Sequence, residues 1–311
     1  MSKIANVYSI SYSRDLKNSL DPGFGIIGDE NNPRPEWYEY WHIRKFLASN
    51  SMEEGKFYGF FSPKFQEKTG LSSADVYLFL EQNKECDVVL FSPFLDQIAL
   101  FLNIIEQANF AHPELVPIFR EVCDLYFPEI DPLLMVNSSD DTVFCNFFVA
   151  KPEFWARWYK ICEDIFQLTE NCSSSLGAAL AGVTRYQNTT TSLRTFVIER
   201  IATLILFSDA RWHVASHSTH SSQVGKMPAA KSTALLLALD TLKTRYVATN
   251  ATEFLSAYLD LRLALIKGTT PAEFRELPTS PFGRFQAHTN LFVDELKVRR
   301  NLELPRFDGR G

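Results

Sequence analysis

Much that would assign this 311-residue chain at sight is missing. There is no G-x-x-x-x-G-K-[ST] and no G-x-S-x-G, which removes the phosphate-loop and esterase-elbow mechanisms. The five cysteines, Cys86, Cys123, Cys145, Cys162 and Cys172, are an odd set without C-x-x-C spacing. They read as reduced core residues rather than as a disulfide or zinc framework. No excess of positive charge exists either. The net charge is −6 with Lys and Arg dispersed, so nucleic acid has no electrostatic footprint to bind. The longest apolar segment, Val88 to Ile105, contains Pro93 and Asp96 and reads as strand, turn and helix rather than a membrane span. The N-terminal Ser2-Lys3-Ile4 leads into a strand-like run instead of the apolar stretch of a signal peptide. A soluble cytoplasmic protein is the expectation.

What the chain does hold is apolar bulk: 46% hydrophobic residues and 26 Phe, enough for a large core in one domain with or without an appendage. Ile4 to Ser13 reads as a strand, the Pro- and Gly-bearing stretch Asp21 to Pro35 as a loop, and Glu36 to Ser49 as a helix. Phe57 to Ser62 is a second strand, Ser72 to Gln82 a helix capped by Ser72 or Ser73, and Asp87 to Ser92 a third strand. Helices are predicted for Leu95 to Ala108 and Pro113 to Tyr126, a strand for Val143 to Ala150, and helices for Pro152 to Leu168 and Ser192 to Phe207. Strands alternating with helices imply an α/β fold, a largely parallel sheet covered by helices on both faces.

After Trp212 the composition changes. Ala215 to Lys226 is rich in Ser, His and Thr and reads as a loop, followed by helical patterns at Ser232 to Thr244, Thr252 to Lys267 and Asn290 to Arg300. The expected organisation is a domain over residues 1–214 and a loop plus helical appendage over 215–311. His213, His217 and His220 form H-x3-H-x2-H, but the Ser and Thr between them argue for a loop rather than a zinc site.

The chemistry-bearing candidates sit at predicted strand ends. Lys56-Phe-Tyr-Gly-Phe-Phe-Ser-Pro-Lys-Phe65 reads as a buried strand that delivers Lys64 to the carboxyl end, where open α/β sheets bind ligands. Arg44 on the preceding helix could join Lys64 around a diphosphate. Glu85-Cys-Asp87 and Asp140-Asp141 are acidic pairs for a hard cation, each also readable as a turn or cap. Glu199 lies in an apolar helix, Phe196 to Phe207, where a carboxylate needs a partner, Arg194 or Arg200, or a task. Asn146 could hydrogen-bond a sugar hydroxyl or simply face outward. The aromatic helix Trp37, Tyr38, Tyr40, Trp41 could be a sugar platform, though its spacing also describes a core-facing stripe.

The order Asn31-Asn-Pro-Arg-Pro-Glu-Trp-Tyr-Glu-Tyr-Trp41, Tyr58-Gly-Phe-Phe-Ser-Pro-Lys-Phe65, Asp87-Val-Val-Leu-Phe-Ser-Pro93, Asn146-Phe-Phe-Val-Ala-Lys-Pro-Glu-Phe-Trp155 and Ile198-Glu-Arg-Ile201 resembles bacterial surface-polysaccharide glycosyltransferases of the GT-A type. The resemblance covers roughly residues 4 to 210. It implies a GT-A-like, Rossmann-type mixed, mostly parallel sheet flanked by helices, with a C-terminal helical appendage, in a nucleotide-sugar-binding catalytic domain that transfers a sugar from an activated donor to a hydroxyl of a capsule or lipopolysaccharide glycan. Under it, Ser11, Tyr12 and Asp15 fall where the nucleoside is held; Arg44, Lys64, Asp87 and Asn146 are further donor-site candidates. Glu199 is the candidate base, Asp141 a second catalytic candidate, and Asp140 with Asp141 the candidate ligands for Mn or Mg. Such enzymes commonly hold that metal with Asp-x-Asp, which this chain lacks, so metal use is left open. A glycan or lipid-linked acceptor, peripheral association with the inner face of the cytoplasmic membrane, and a homo-oligomer are all compatible with it. The alternative is a non-catalytic member of a polysaccharide-assembly complex built on a degenerate transferase fold.

Overall fold

The computed structural model describes residues 4–12, 17, 19–28, 32–172, 174–186, 189–217, 233–269, 289–290 and 293–294. In chain order the elements are β1 (Ala5–Ile10), β2 (Gly25–Ile27), a 3₁₀ turn (Pro35–Trp37), α1 (Tyr38–Ser49), β3 (Phe57–Phe61), α2 (Phe65–Thr69), α3 (Ser73–Gln82) and β4 (Val88–Leu90). Then come α4 (Leu95–Leu100), α5 (Ile104–Ala111), α6 (Leu115–Tyr126), β5 (Phe148–Ala150), α7 (Pro152–Asn171) and α8 (Ser175–Ala181). β6 (Val183–Tyr186), β7 (Thr189–Ser192), α9 (Leu193–Ser208), β8 (Val214–Ser216), α10 (Thr233–Thr249) and α11 (Thr252–Thr269) complete the list.

The chain divides into two compact units, each assembled from two stretches: Met1–Pro93 with Asp140–Gln223, and Phe94–Ser139 with Val224–Gly311. Residues 94–139, drawn at the level of sequence into the first domain, thus cluster with the C-terminal helices.

The first unit is α/β. Its sheet runs β2-β1-β3-β5-β4-β8, with β1 parallel to β2 and β3, β4 parallel to β8, and β5 antiparallel to both its neighbours. Period-two alternation loads both faces. Phe57 and Phe61 of β3 join Val7, Val76, Leu80, Val89, Phe147 and Val149 in one core, where Phe61 stacks on Phe65 at 3.9 Å. On the other face Phe60 meets Trp155 of α7 edge-on at 4.9 Å, and the indole N–H donates to the Tyr58 carbonyl at 2.9 Å. Each such buried aromatic contributes roughly 1.5–3 kcal/mol. Pro152 opens α7 at its first turn, where the missing N–H is harmless. Ser72 caps α3 in a capping box: its hydroxyl accepts from Asp75 N, and the Asp75 carboxylate accepts from Ser72 N at 2.8 Å. Beside the sheet, β6 and β7 form an antiparallel hairpin.

The second unit is helical among its described residues, from α4, α5, α6, α10 and α11. On α6 the buried Leu115, Val116, Ile118, Phe119, Val122 and Cys123 recur at helical spacing and form one apolar face. The buried Lys243 donates to the Ile98 and Phe101 carbonyls at 2.5 and 2.8 Å, satisfying acceptors at the end of α4. Among the described residues no helix is long and apolar enough to cross a membrane.

Gly23-Phe-Gly-Ile-Ile-Gly28 spells G-x-G-x-x-G, a dinucleotide fingerprint missed at the level of sequence. Its context is wrong for that role, because β2 occupies its middle and, among the described residues, no helix opens on it. Packing explains two of the glycines instead. A Cβ on Gly25 would stand 2.6 Å from Tyr8 Cδ1, and one on Gly28, whose φ is +129°, would stand 2.0 Å from the Ser11 carbonyl oxygen.

Candidate active site

Three segments distant in sequence meet at one rim of the first unit. The 3₁₀ turn and the start of α1 bring Trp37, Tyr38, Glu39 and Tyr40; the approach to β5 brings Cys145 and Asn146; α9 brings Thr195, Ile198 and Glu199. Because β5 runs against its neighbours, its leading residues lie where β3 and β4 finish, at the carboxyl end of the parallel strands. That is the ligand-binding rim of open α/β sheets. The residues line a narrow slot with about 20 Å³ of free space, room for one hydroxyl- or water-sized group.

The backbone around this slot is strained. Tyr38, Cys145 and Asn146 have φ of 47°, 59° and 53°, in the left-handed region. Such residues cost of order 1–3 kcal/mol each and persist where surrounding packing over-determines them, often beside ligands. Tyr38 is also tied across the slot's flank, with its hydroxyl 3.3 Å from Thr191 Oγ1 on β7.

Glu199 is the titratable group that stands out. Its side chain is 35% exposed, yet protein walls it closely enough that desolvation raises the carboxyl pKa above its ordinary value. Arg200 and Lys68 oppose that shift and Glu39 reinforces it. Arg200 Nη1 is 4.0 Å from Glu199 Oε2 and donates to the Phe196 carbonyl at 2.8 Å, so this ion pair is weak. Arg194 places its guanidinium 4.2 Å over Trp37 and faces Glu36 and Glu170. Of the two arginines weighed as structural partners of Glu199, Arg200 is thus paired with it at 4.0 Å and Arg194 is engaged by Trp37. Lys68 donates to Cys145 Sγ at 3.1 Å; burial pushes that thiol up to about 11, so it stays protonated and inert near neutrality.

Of the residues singled out in the sequence, Glu199 and Asn146 are brought together here. Ser11 is buried at the end of β1, its N–H donating to the Ile27 carbonyl at 2.8 Å. Tyr12 is half-buried, its ring 5.7 Å from His42; burial and the adjacent Glu39 carboxylate raise its phenol pKa. Asp15 lies outside the described residues, as does His220. Lys64 is exposed just past β3 and precedes α2. Arg44 grips Glu163 through two nitrogens at 2.5 and 2.8 Å and packs 4.1 Å over Phe166, so its donors point to α7. Asp87 lies at the amino end of β4, the opposite rim from Asn146, paired with Lys151 at 3.2 Å and accepting from His213 N at 3.1 Å. Trp37 and Tyr40 are buried against Phe166, so the aromatic helix start is partly core, with Tyr38 left exposed.

Asp140 and Asp141 occupy a turn, and among the described residues no group of three or more His, Cys, Asp or Glu could hold a metal ion. Cys145, Lys68 and the Thr191 hairpin had no motif to announce them; only Asn146, a residue tolerant of left-handed backbone, carried a local signal.

No protein-family model, no curated protein and no solved structure matches this chain.

Proposed function

We propose that this chain is a glycosyltransferase of GT-A-like architecture, moving a sugar from a nucleotide-activated donor to a hydroxyl of a bacterial cell-surface glycan. The observation that carries the reading is Glu199: a carboxyl of raised pKa, with Arg200 4.0 Å away, opening into a slot at the carboxyl rim of the sheet. A general base must hold this balance of access and proton affinity. The proton of the acceptor hydroxyl passes to the Glu199 carboxylate as the new C–O bond forms at the anomeric carbon. The bond from that carbon to the donor's diphosphate breaks, and the diphosphate leaves with the electron pair.

Charge developing on that leaving group needs fixed donors. Lys64, exposed where β3 ends, and Lys68, one turn along α2, are the cations of this rim suited to that task. Tyr38, left exposed, supplies an aromatic face for pyranose C–H surfaces.

The test is thermal-shift and calorimetric titration against a panel of nucleotide sugars and nucleoside diphosphates, with and without Mn or Mg. Stabilisation by one nucleotide class, followed by sugar transfer that Glu199→Gln abolishes, is the expected result. Silence across the panel under all conditions sinks the proposal.

A further inference from the structure

A second cavity, of about 240 Å³, lies between one face of α1 and the end of β2, the terminal strand of the sheet. His42, Lys45, Phe46 and Ser49 fall on a single helical stripe, and Ile27 and Gly28 join them in the lining. Element lengths account for the gap. α1 has 12 residues and β2 three, so a helix of roughly 18 Å runs beside a strand of roughly 10 Å, and part of its stripe finds no strand to cover it among the described residues. The walls are held in place: the Phe46 ring packs at 5.0 Å on Tyr8 and 4.9 Å on Phe60, and His42 is buried. The cavity shares no described lining residue with the slot beside Glu199, so nothing in it depends on the glycosyl-transfer reading.

The lining selects a charge. Lys45 carries its one fixed charge, and no Asp or Glu is among the described lining residues. Lys45 is exposed, and an exposed ammonium exchanges one surface partner for another at little cost. Two neutral donors accompany it, because the Ser49 hydroxyl and the Gly28 N–H make no hydrogen bond among the described residues. A cation would meet Lys45 with no carboxylate to hold it, whereas one ammonium and neutral donors match a single carboxylate. Ile27 and the rings of Phe46 and His42 add flat apolar surface that a wholly polar anion would leave unused. We propose that this cavity is a separate binding site for a small aromatic carboxylate, its charged end on Lys45 and Ser49 and its ring against Phe46 and Ile27. The volume falls just below the roughly 300 Å³ at which pockets for drug-sized ligands begin, which suits an acid with one ring.

The experiment titrates the full chain with benzoate, benzamide, benzylamine and phenyl phosphate, read by saturation-transfer NMR and calorimetry. Benzamide keeps the ring and removes the charge, and benzylamine reverses it. The wild type is expected to bind benzoate about tenfold tighter than benzamide, the worth of a hydrogen bond to a charged partner, and benzylamine not at all. Lys45→Gln is expected to bind benzoate and benzamide equally, Lys45→Arg to keep the preference, and Ser49→Phe, which puts a ring into the lining, to lose both ligands. Lys45 and Ser49 are exposed, so all three variants are expected to melt at the wild-type temperature. No benzoate binding to the wild type, or tighter binding of benzylamine or phenyl phosphate than of benzoate, overturns the proposal. A benzoate preference that survives Lys45→Gln, or benzoate binding that survives Ser49→Phe, overturns it too. Nucleotide sugars play no part in these titrations, so failure here and failure of the transfer reading are distinguishable.

Discussion

Arg262 holds Glu106 through two guanidinium nitrogens, at 2.6 and 2.9 Å, with the two side chains 2% and 1% exposed. The pair is fully networked: Glu106 Oε2 also accepts from Leu102 N at 2.5 Å, and Arg262 also donates to Tyr258 Oη and Thr289 Oγ1. Desolvating two charges offsets most of their attraction, but removing one partner strands the other in a dry interior. Arg262→Met or Glu106→Gln is therefore expected to cost about 3–5 kcal/mol, and Arg262→Met with Glu106→Leu far less than the sum. Urea unfolding of the single and double variants checks this; single losses below about 1 kcal/mol would remove the pair from the forces holding the second unit.

Glu199 predicts a pH signature. A carboxyl whose folded-state pKa is raised, here chiefly by desolvation, holds its proton more tightly folded than unfolded. Its favourable effect on stability is full below the unfolded value and is lost as pH rises through the folded one. Glu199→Gln should therefore gain stability over wild type at pH 8 and lose that advantage as pH falls toward 4.5, the ordinary carboxyl value. Under the proposed chemistry the acid limb of kcat/KM falls above that ordinary value, since the base must be ionised. A Gln variant equally destabilised at every pH would assign the residue to architecture.

Asp87 separates bracing from binding. It ties Lys151 and His213 N to the amino end of β4, away from the slot. Asp87→Ala should lower stability by about 1–3 kcal/mol through the unpaired groups it leaves, with nucleotide-sugar affinity unchanged. Loss of affinity at unchanged stability would return Asp87 to the binding site.

Gly28→Ala tests the β1–β2 edge. With φ at +129° and the Ser11 carbonyl 2.0 Å from where a Cβ would stand, the substitution strains the backbone and forces the two segments apart. A loss above about 1 kcal/mol is expected, read as a lower melting temperature. An unchanged melting temperature would mean that the edge adjusts freely.

The strands β1, β3 and β4, the helix α7 with Pro152 at its start and the Ser72 cap are all legible in the chain, because period-two and period-3.6 patterns and capping chemistry act over a few residues. The long prediction over Leu95 to Ala108 breaks into α4 and α5 because Asn103 caps a new start, its Oδ1 accepting from Ile105 N and Glu106 N. β2, α8 and the β6–β7 hairpin went unpredicted: each is short, and pairing partners rather than local pattern define its strands.

For the candidate site, the sequence alone pointed to Glu199 as an anomalous carboxylate and to Asn146 as a polar residue in an apolar run, since a misplaced polar group is visible without a fold. Only the tertiary structure set them together and turned Arg44 toward Glu163 and Asp87 toward Lys151. The physical reason is the reversed direction of β5, which carries Asn146 to the rim where parallel strands end. A strand's direction depends on neighbours far away along the chain, and no local periodicity records it.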